Sequence, residues 1–285
     1  MTDFSETSSE RIEPKGGRTL NDFAQIVTVA KYELLNFLRS RRFMTLISLV
    51  LAVCISASIV VEYYRPASML SSSVSFAVDW LAYTLPFIIA LPASFLGGDT
   101  ISSEFQNKTG YSMIGNPIKR SSIFYGKLLA VFFGSLSMLC IYELTILSNL
   151  AYNFGPGNIP FQFWESFGLL VLAELGAMGL VLLFGSLFKN GAVSITFTLL
   201  VLLYGLNLIE NVYNRLIGTE PWFLLSYAAQ TIMNVFIIPY PKTTVNPLSR
   251  ITYIASLPEG IAIMIGYFVI GTVVSLLIFN KRDLS

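Results

Sequence analysis

Two glutamates sit where a carboxylate is costly. Glu143 and Glu174 each interrupt a long apolar run that otherwise carries no charge, and a charge held deep in lipid is expensive enough to mark a functional site. At 1.5 Å per helical residue they lie about 9 Å and about 13 Å from the nearer ends of their runs, the ends assigned below to the outer face. A buried carboxylate there can bind a cation or line a polar path, with Tyr142, Tyr204 and Asn207 as candidate hydrogen-bond partners. Other chemistries are closed off. The chain has no histidine, which removes imidazole as general base, proton shuttle or metal ligand. Its two cysteines, Cys54 and Cys140, both fall in apolar runs, so they read as small buried residues rather than a disulfide framework or metal cluster. No metal site is expected. No G-x-x-x-x-G-K-S/T phosphate loop, G-x-S-x-G elbow or H-E-x-x-H helix occurs, so neither catalysis nor ATP binding by this chain is expected.

The elements that position these groups must suit a bilayer. Of the 285 residues, 54% are hydrophobic and 12% charged, and uncharged runs repeatedly reach the roughly 20 residues that a crossing helix needs. Spans are predicted at about 43–61, 80–98, 128–149, 166–188, 191–209 and 260–280. They are continuous rather than alternating, which selects helices over a barrel. A net charge of +1 gives no reason to expect nucleic acid as a partner. With the N-terminus in the cytoplasm, Arg65, Arg215, Lys242 and Arg250 fall outside and the remaining fourteen of the 18 Lys and Arg fall inside. That bias predicts an even number of spans, a multi-pass protein of the cell membrane, and both termini in the cytoplasm.

The fold class that follows is an all-α membrane protein with six transmembrane helices. Residues 1–21 form a flexible cytoplasmic tail, 22–42 an interfacial amphipathic helix and 43–285 the six-span domain. On the interfacial helix Phe23, Ile26, Val27, Ala30, Leu34, Phe37 and Leu38 share one face, and Arg39, Arg41 and Arg42 sit at the lipid phosphates. Within the outer segment 210–259, the run 221–241 is long enough to cross. It carries Ser226, Gln230, Thr231 and Asn234, is bounded by Pro221 and Pro239, and would place Lys281 and Arg282 outside if it spanned. A helical pair dipping part-way in from the outer side is expected instead. Gly176, Gly179, Gly266, Gly271 and Ser275 allow close helix approach, and Trp80, Trp164, Trp222, Tyr63, Tyr64 and Tyr83 are predicted to form an outer aromatic belt.

Between the second and third spans, residues 99–127 form a cytoplasmic loop too long for a plain turn, since helix connections usually take about 2–8 residues. Ile101 and Phe105 share a helical face, and Asn116-Pro117 signals a turn or helix start. The series Asp99, Glu104, Thr109, Pro117, Arg120, Ile123, Gly126 and Lys127 resembles, in type and spacing, the first cytoplasmic loop of permease subunits of type-2 ATP-binding-cassette exporters. There the pattern reads D-x-I-x-x-E-x-x-x-G-T and then P-x-x-R-x-x-I-x-x-G-K; Lys108 departs from its glycine. The preceding Lys31, Tyr32, Glu33 and Leu34 with Arg39, Ser40, Arg41 and Arg42, and the closing "FNKRDL", are also similar to that family. The resemblance implies an exporter's permease subunit, paired with a second permease copy and surrounded by membrane lipids, working by alternating access. No cofactor would be bound by this chain; ATP and Mg would sit on a separate cytoplasmic ATPase subunit. It further implies a coupling helix that docks on that ATPase through Asp99, Ile101, Glu104, Phe105, Thr109, Pro117 and Arg120. Ile101 and Phe105 would fill a groove, and Glu104, Lys119 and Arg120 would set the register. Glu143 and Glu174 become candidate residues of the translocation path, and a stand-alone channel or scaffold is the alternative.

Overall fold

The computed structural model describes residues 22–106, 120–245 and 251–281. Helix α1 (Asp22–Arg39) ends at Ser40, whose hydroxyl accepts the Phe43 amide at 3.1 Å and so caps α2 (Arg41–Tyr64). Helix α3 (Ser73–Pro92) passes through a π-helical turn at Ala93–Gly97 into α4 (Gly98–Gln106). The long α5 (Arg120–Phe154) and α6 (Gln162–Leu187) follow. Helix α7 (Gly191–Leu200) continues through a second π-helical turn, Val201–Gly205, into α8 (Leu206–Leu216). Two short helices, α9 (Leu225–Ala229) and α10 (Thr231–Asn234), precede β1 (Thr243–Val245), β2 (Ile251–Tyr253) and α11 (Leu257–Lys281).

Six of these helical stretches are long and apolar enough to cross a membrane: α2, α3 with α4, α5, α6, α7 with α8, and α11. All six expected spans are present, and several overrun their expected ends. Counting apolar residues stops at the first charge, whereas the backbone hydrogen bonds of a helix do not. The third span therefore begins at Arg120 and the second runs on to Gln106, so both flanks of the expected 99–127 loop are helix. Thr109, Pro117 and Lys119 lie outside the described residues. Residues 221–241 do not make a seventh crossing, because α9 and α10 have five and four residues. They are nonetheless buried: Tyr227, Ala228 and Ile232 are inaccessible, and Ser166 of α6 donates to the Ile232 carbonyl at 2.9 Å. The antiparallel β1–β2 ribbon, pairing Thr244 with Thr252, is an addition to the expected all-helical chain. Its signal is local, since Thr-Thr-Val and Ile-Thr-Tyr are strand formers by side-chain shape.

Inside a bilayer, helices associate by close packing rather than by escape from water. Here α6 and α11 cross with their backbones in contact. A side chain on Gly179 would collide with the main chain of Tyr267 and Phe268, and one on Gly271 with that of Gly179. One turn beyond Gly271, Ser275 donates to the Leu182 carbonyl at 2.9 Å. Gly266 meets nothing within 4 Å of where its side chain would begin, so it takes no part in this approach. Ile55, Ile59, Leu144, Ile270 and Leu277 are exposed on the outside of the bundle, as lipid-facing positions of spans would be. Tyr63, Tyr64, Tyr83, Trp164 and Trp222 are also exposed, in keeping with a belt. Trp80 is not part of it: it is buried and stacks on Phe76 with ring centroids 5.6 Å apart. Cys54 is buried as expected, whereas Cys140 is exposed.

Candidate functional site

The expected docking end is built around Asp99, in the first turn of α4. One of its carboxylate oxygens pairs with Arg42 from the first turn of α2. The other faces Gly191, so closely that a β-carbon there would strike it. This oxygen thus lies at the N-terminus of α7, where the helix dipole favours negative charge. Asp99 therefore ties α2, α4 and α7 together. Next to it, Lys127 of α5 is buried and donates to the Thr100 carbonyl at 3.2 Å and to Glu33 of α1 at 3.4 Å. Gly126 lets α1 settle on α5, with Val29 and the Ile26 carbonyl where a side chain would otherwise be. Exposed ion pairs such as Arg42–Asp99, with side chains 65% and 21% accessible, are worth only about 0.2–1 kcal/mol. The seat of α1 rests more on its packing against α5 and on the buried ammonium.

Ile101 corrects an expectation. It is only 2% accessible and packs with Phe124, Leu128, Leu182 and Phe279 of this chain, so in this conformation it fills no partner's groove. Ile123 is likewise buried. Of the series that carried the resemblance, Asp99, Ile123, Gly126 and Lys127 hold this end of the bundle together from within. Arg120 opens α5 and is exposed, and Glu104 and Phe105 lie in the last turn of α4.

Deeper in the bundle, Glu174 is 1% accessible, and neither of its oxygens makes a hydrogen bond of normal geometry, although Ser135 of α5 stands beside it. Glu143 is 8% accessible with one oxygen unpartnered, so it does not reach out to headgroups. Glu143 lies on α5 and Glu174 on α6. Their expected partners are engaged elsewhere or turned outward: Tyr142 with Thr84, Asn207 with the Leu203 carbonyl at 3.1 Å, and Tyr204 exposed.

A third carboxylate escaped the sequence reading. Glu210 of α8 is 6% accessible and accepts hydrogen bonds from Ser226, at 2.6 Å, and from the Gln230 amide. It stands one residue beyond the run counted as the fifth span. Its signal is helical spacing: Asn207 and Glu210 are three apart, Ser226 and Gln230 four apart, so each pair shares a face. Nearby, the buried phenol of Tyr227 is pushed above its ordinary pKa by burial and then by Glu259, Glu220, Tyr240 and Glu210, so negative charge gathers at this end.

Six apolar helices, packed through glycine contacts and closed at one end by a network of buried and paired charges, define a multi-pass membrane protein. The chain belongs to the ABC-2 transporter family: the family model described as "ABC-2 family transporter protein" matches residues 31–205, more than half of its length. That stretch includes α1 from Lys31, the braced end and the first five spans up to the second π-helical turn. The chain is also similar to the uncharacterized membrane protein YdbK of Bacillus subtilis (strain 168), with 35% identity over 141 residues. The aligned part covers 45% of this chain and 55% of that relative, so the chain spans little more than half the relative's length.

Proposed function

We propose that this chain is the permease subunit of an ATP-binding-cassette exporter, working beside a second permease copy and driven by a separate ATPase that holds ATP and Mg. The observation that carries this reading is the braced end. Asp99 and Lys127 join α1, α2, α4, α5 and α7 at the two ends of the series that resembles the exporter loop, so a push on that end is shared by several spans at once. Docking falls to Glu104, Phe105, Thr109, Pro117 and Arg120, whereas Asp99 and Ile101 serve from inside. Glu174 belongs to the path that changes access.

Co-purification with the candidate ATPase tests it. Wild type should retain the ATPase, and Glu104→Arg or Phe105→Asp should lose it, because each puts the wrong charge or polarity at the contact. Glu174→Gln should keep the ATPase bound and alter its turnover. An ATPase held equally by wild type and both docking variants, or by none of them, favours a stand-alone channel or scaffold. Orientation has its own test. Both termini are proposed to be cytoplasmic, so cysteine placed at Ser73 should react with an impermeant reagent on intact cells and cysteine at Ser112 should not; the opposite labelling overturns the topology.

A further inference from the structure

We propose that the cavity beside Glu210 binds small organic ammonium compounds. The cavity measures about 270 Å³ and lies between α3, α6, α8 and the α9–α10 pair. Leu85, Pro86 and Ile89 of α3 form one wall and Met233 part of another. Asn207, Ser226 and Gln230 supply its polar side. Glu210 stands directly behind that side, one turn after Asn207 on α8 and hydrogen-bonded to two of the cavity's own lining residues. A mainly apolar hollow with a few convergent polar groups is the usual form of a small-molecule site.

The chemistry of the walls selects the ligand. Glu210 is buried, and among the described residues no Lys or Arg pairs with it, so its carboxylate form is held by two neutral donors alone and gains from a cation. A cation that brings its own N–H donors is attracted. Anions are disfavoured beside the Glu210 carboxylate, on which the Ser226 hydroxyl and one N–H of the Gln230 amide are already spent. A bare metal ion fits poorly. It needs several oxygens to replace its hydration shell, and no group of three or more His, Cys, Asp or Glu suited to a metal occurs among the described residues. An ammonium group carried on an apolar body satisfies both sides: its nitrogen faces Asn207 and Glu210, and its body lies against Leu85, Ile89 and Met233. As a substrate class this rests on the permease reading; as a binding site it does not.

The test uses the full chain in nanodiscs, without an ATPase, titrated calorimetrically with 2-phenylethylamine, a cation at neutral pH, and with 2-phenylethanol, its neutral counterpart. Wild type should bind the amine about tenfold or more tightly than the alcohol. Glu210→Gln keeps a similar shape and should abolish that preference while leaving alcohol binding unchanged. Ala229→Leu, which fills the cavity, should weaken both. If Glu210→Gln fails to fold, Asn207→Leu takes its place, with a loss confined to the amine. Equal binding of the two probes by wild type, no amine binding at millimolar concentration, or a preference that survives Glu210→Gln overturns the proposal. Amine binding that obeys these rules but never changes the turnover of a reconstituted ATPase supports the site and counts against the permease reading instead.

Discussion

Gly179→Ala is expected to destabilise the protein clearly, although it adds a single methyl group. At this position α6 meets main-chain atoms of α11, from Tyr267 and Phe268, and a backbone cannot swing aside as a side chain can. The helices must separate, and overpacking of this kind costs about 1–3 kcal/mol. For a chain of this size that corresponds to a fall in melting temperature of roughly 2–12 °C. Gly266→Ala, on α11 itself, makes the same chemical change where nothing lies within 4 Å. There the gain in helix propensity, about 0.5–1 kcal/mol, should leave stability unchanged or raised. Thermal unfolding in one detergent compares the two directly, and equal melting temperatures would show that the α6–α11 crossing has room for a methyl group at Gly179.

The second large effect is expected at the seat of α1. Glu33→Leu removes the carboxylate facing Lys127 while the ammonium stays buried. Breaking one side of a fully buried pair costs about 3–5 kcal/mol. Glu33 keeps a side-chain accessibility of 22%, so solvent moderates the loss to about 1–3 kcal/mol. Lys127→Met alone should cost less, since the carboxylate it leaves behind keeps some contact with water. The double variant should be more stable than Glu33→Leu alone, because the buried charge that lost its carboxylate neighbour has gone. Trypsin provides a local readout: cleavage at Lys31 and Arg39 should accelerate in Glu33→Leu as α1 lifts from α5, and slow again in the double variant. Strictly additive effects would mean that the two side chains do not interact.

The spans were legible because the bilayer imposes a length and a polarity that few other constraints can imitate, and all six runs became helices. Their ends were not, since charge marks where lipid stops rather than where a helix stops; Arg120–Lys127 and Gly98–Gln106 continue regardless. The docking series was visible as a pattern, yet pattern alone does not say which way a residue faces. Ile101 shares a helical face with Phe105, and only the packing of Phe124, Leu182 and Phe279 shows that Ile101 turns inward. Trp80 misled for a related reason: an aromatic near the end of an apolar run suits both a headgroup belt and a core, and Phe76 claims it for the core. Glu210 went unread because its partners, Ser226 and Gln230, lie 16 and 20 residues away in a segment whose course could not be inferred from periodicity.

The length of α5 has a mechanical consequence. Its 35 residues run from Arg120 to Phe154 without an internal proline, a single rod about 52 Å long where a crossing requires about 30 Å. Part of the surplus is the stretch from Arg120 to Lys127, where α1 is strapped along it by Gly126 and Lys127. A rod moves all at once. Pivoting it by about 10° at Arg120 would sweep Phe154 sideways through about 9 Å, so a modest swing at one face of the membrane becomes a displacement nearly one helix wide at the other.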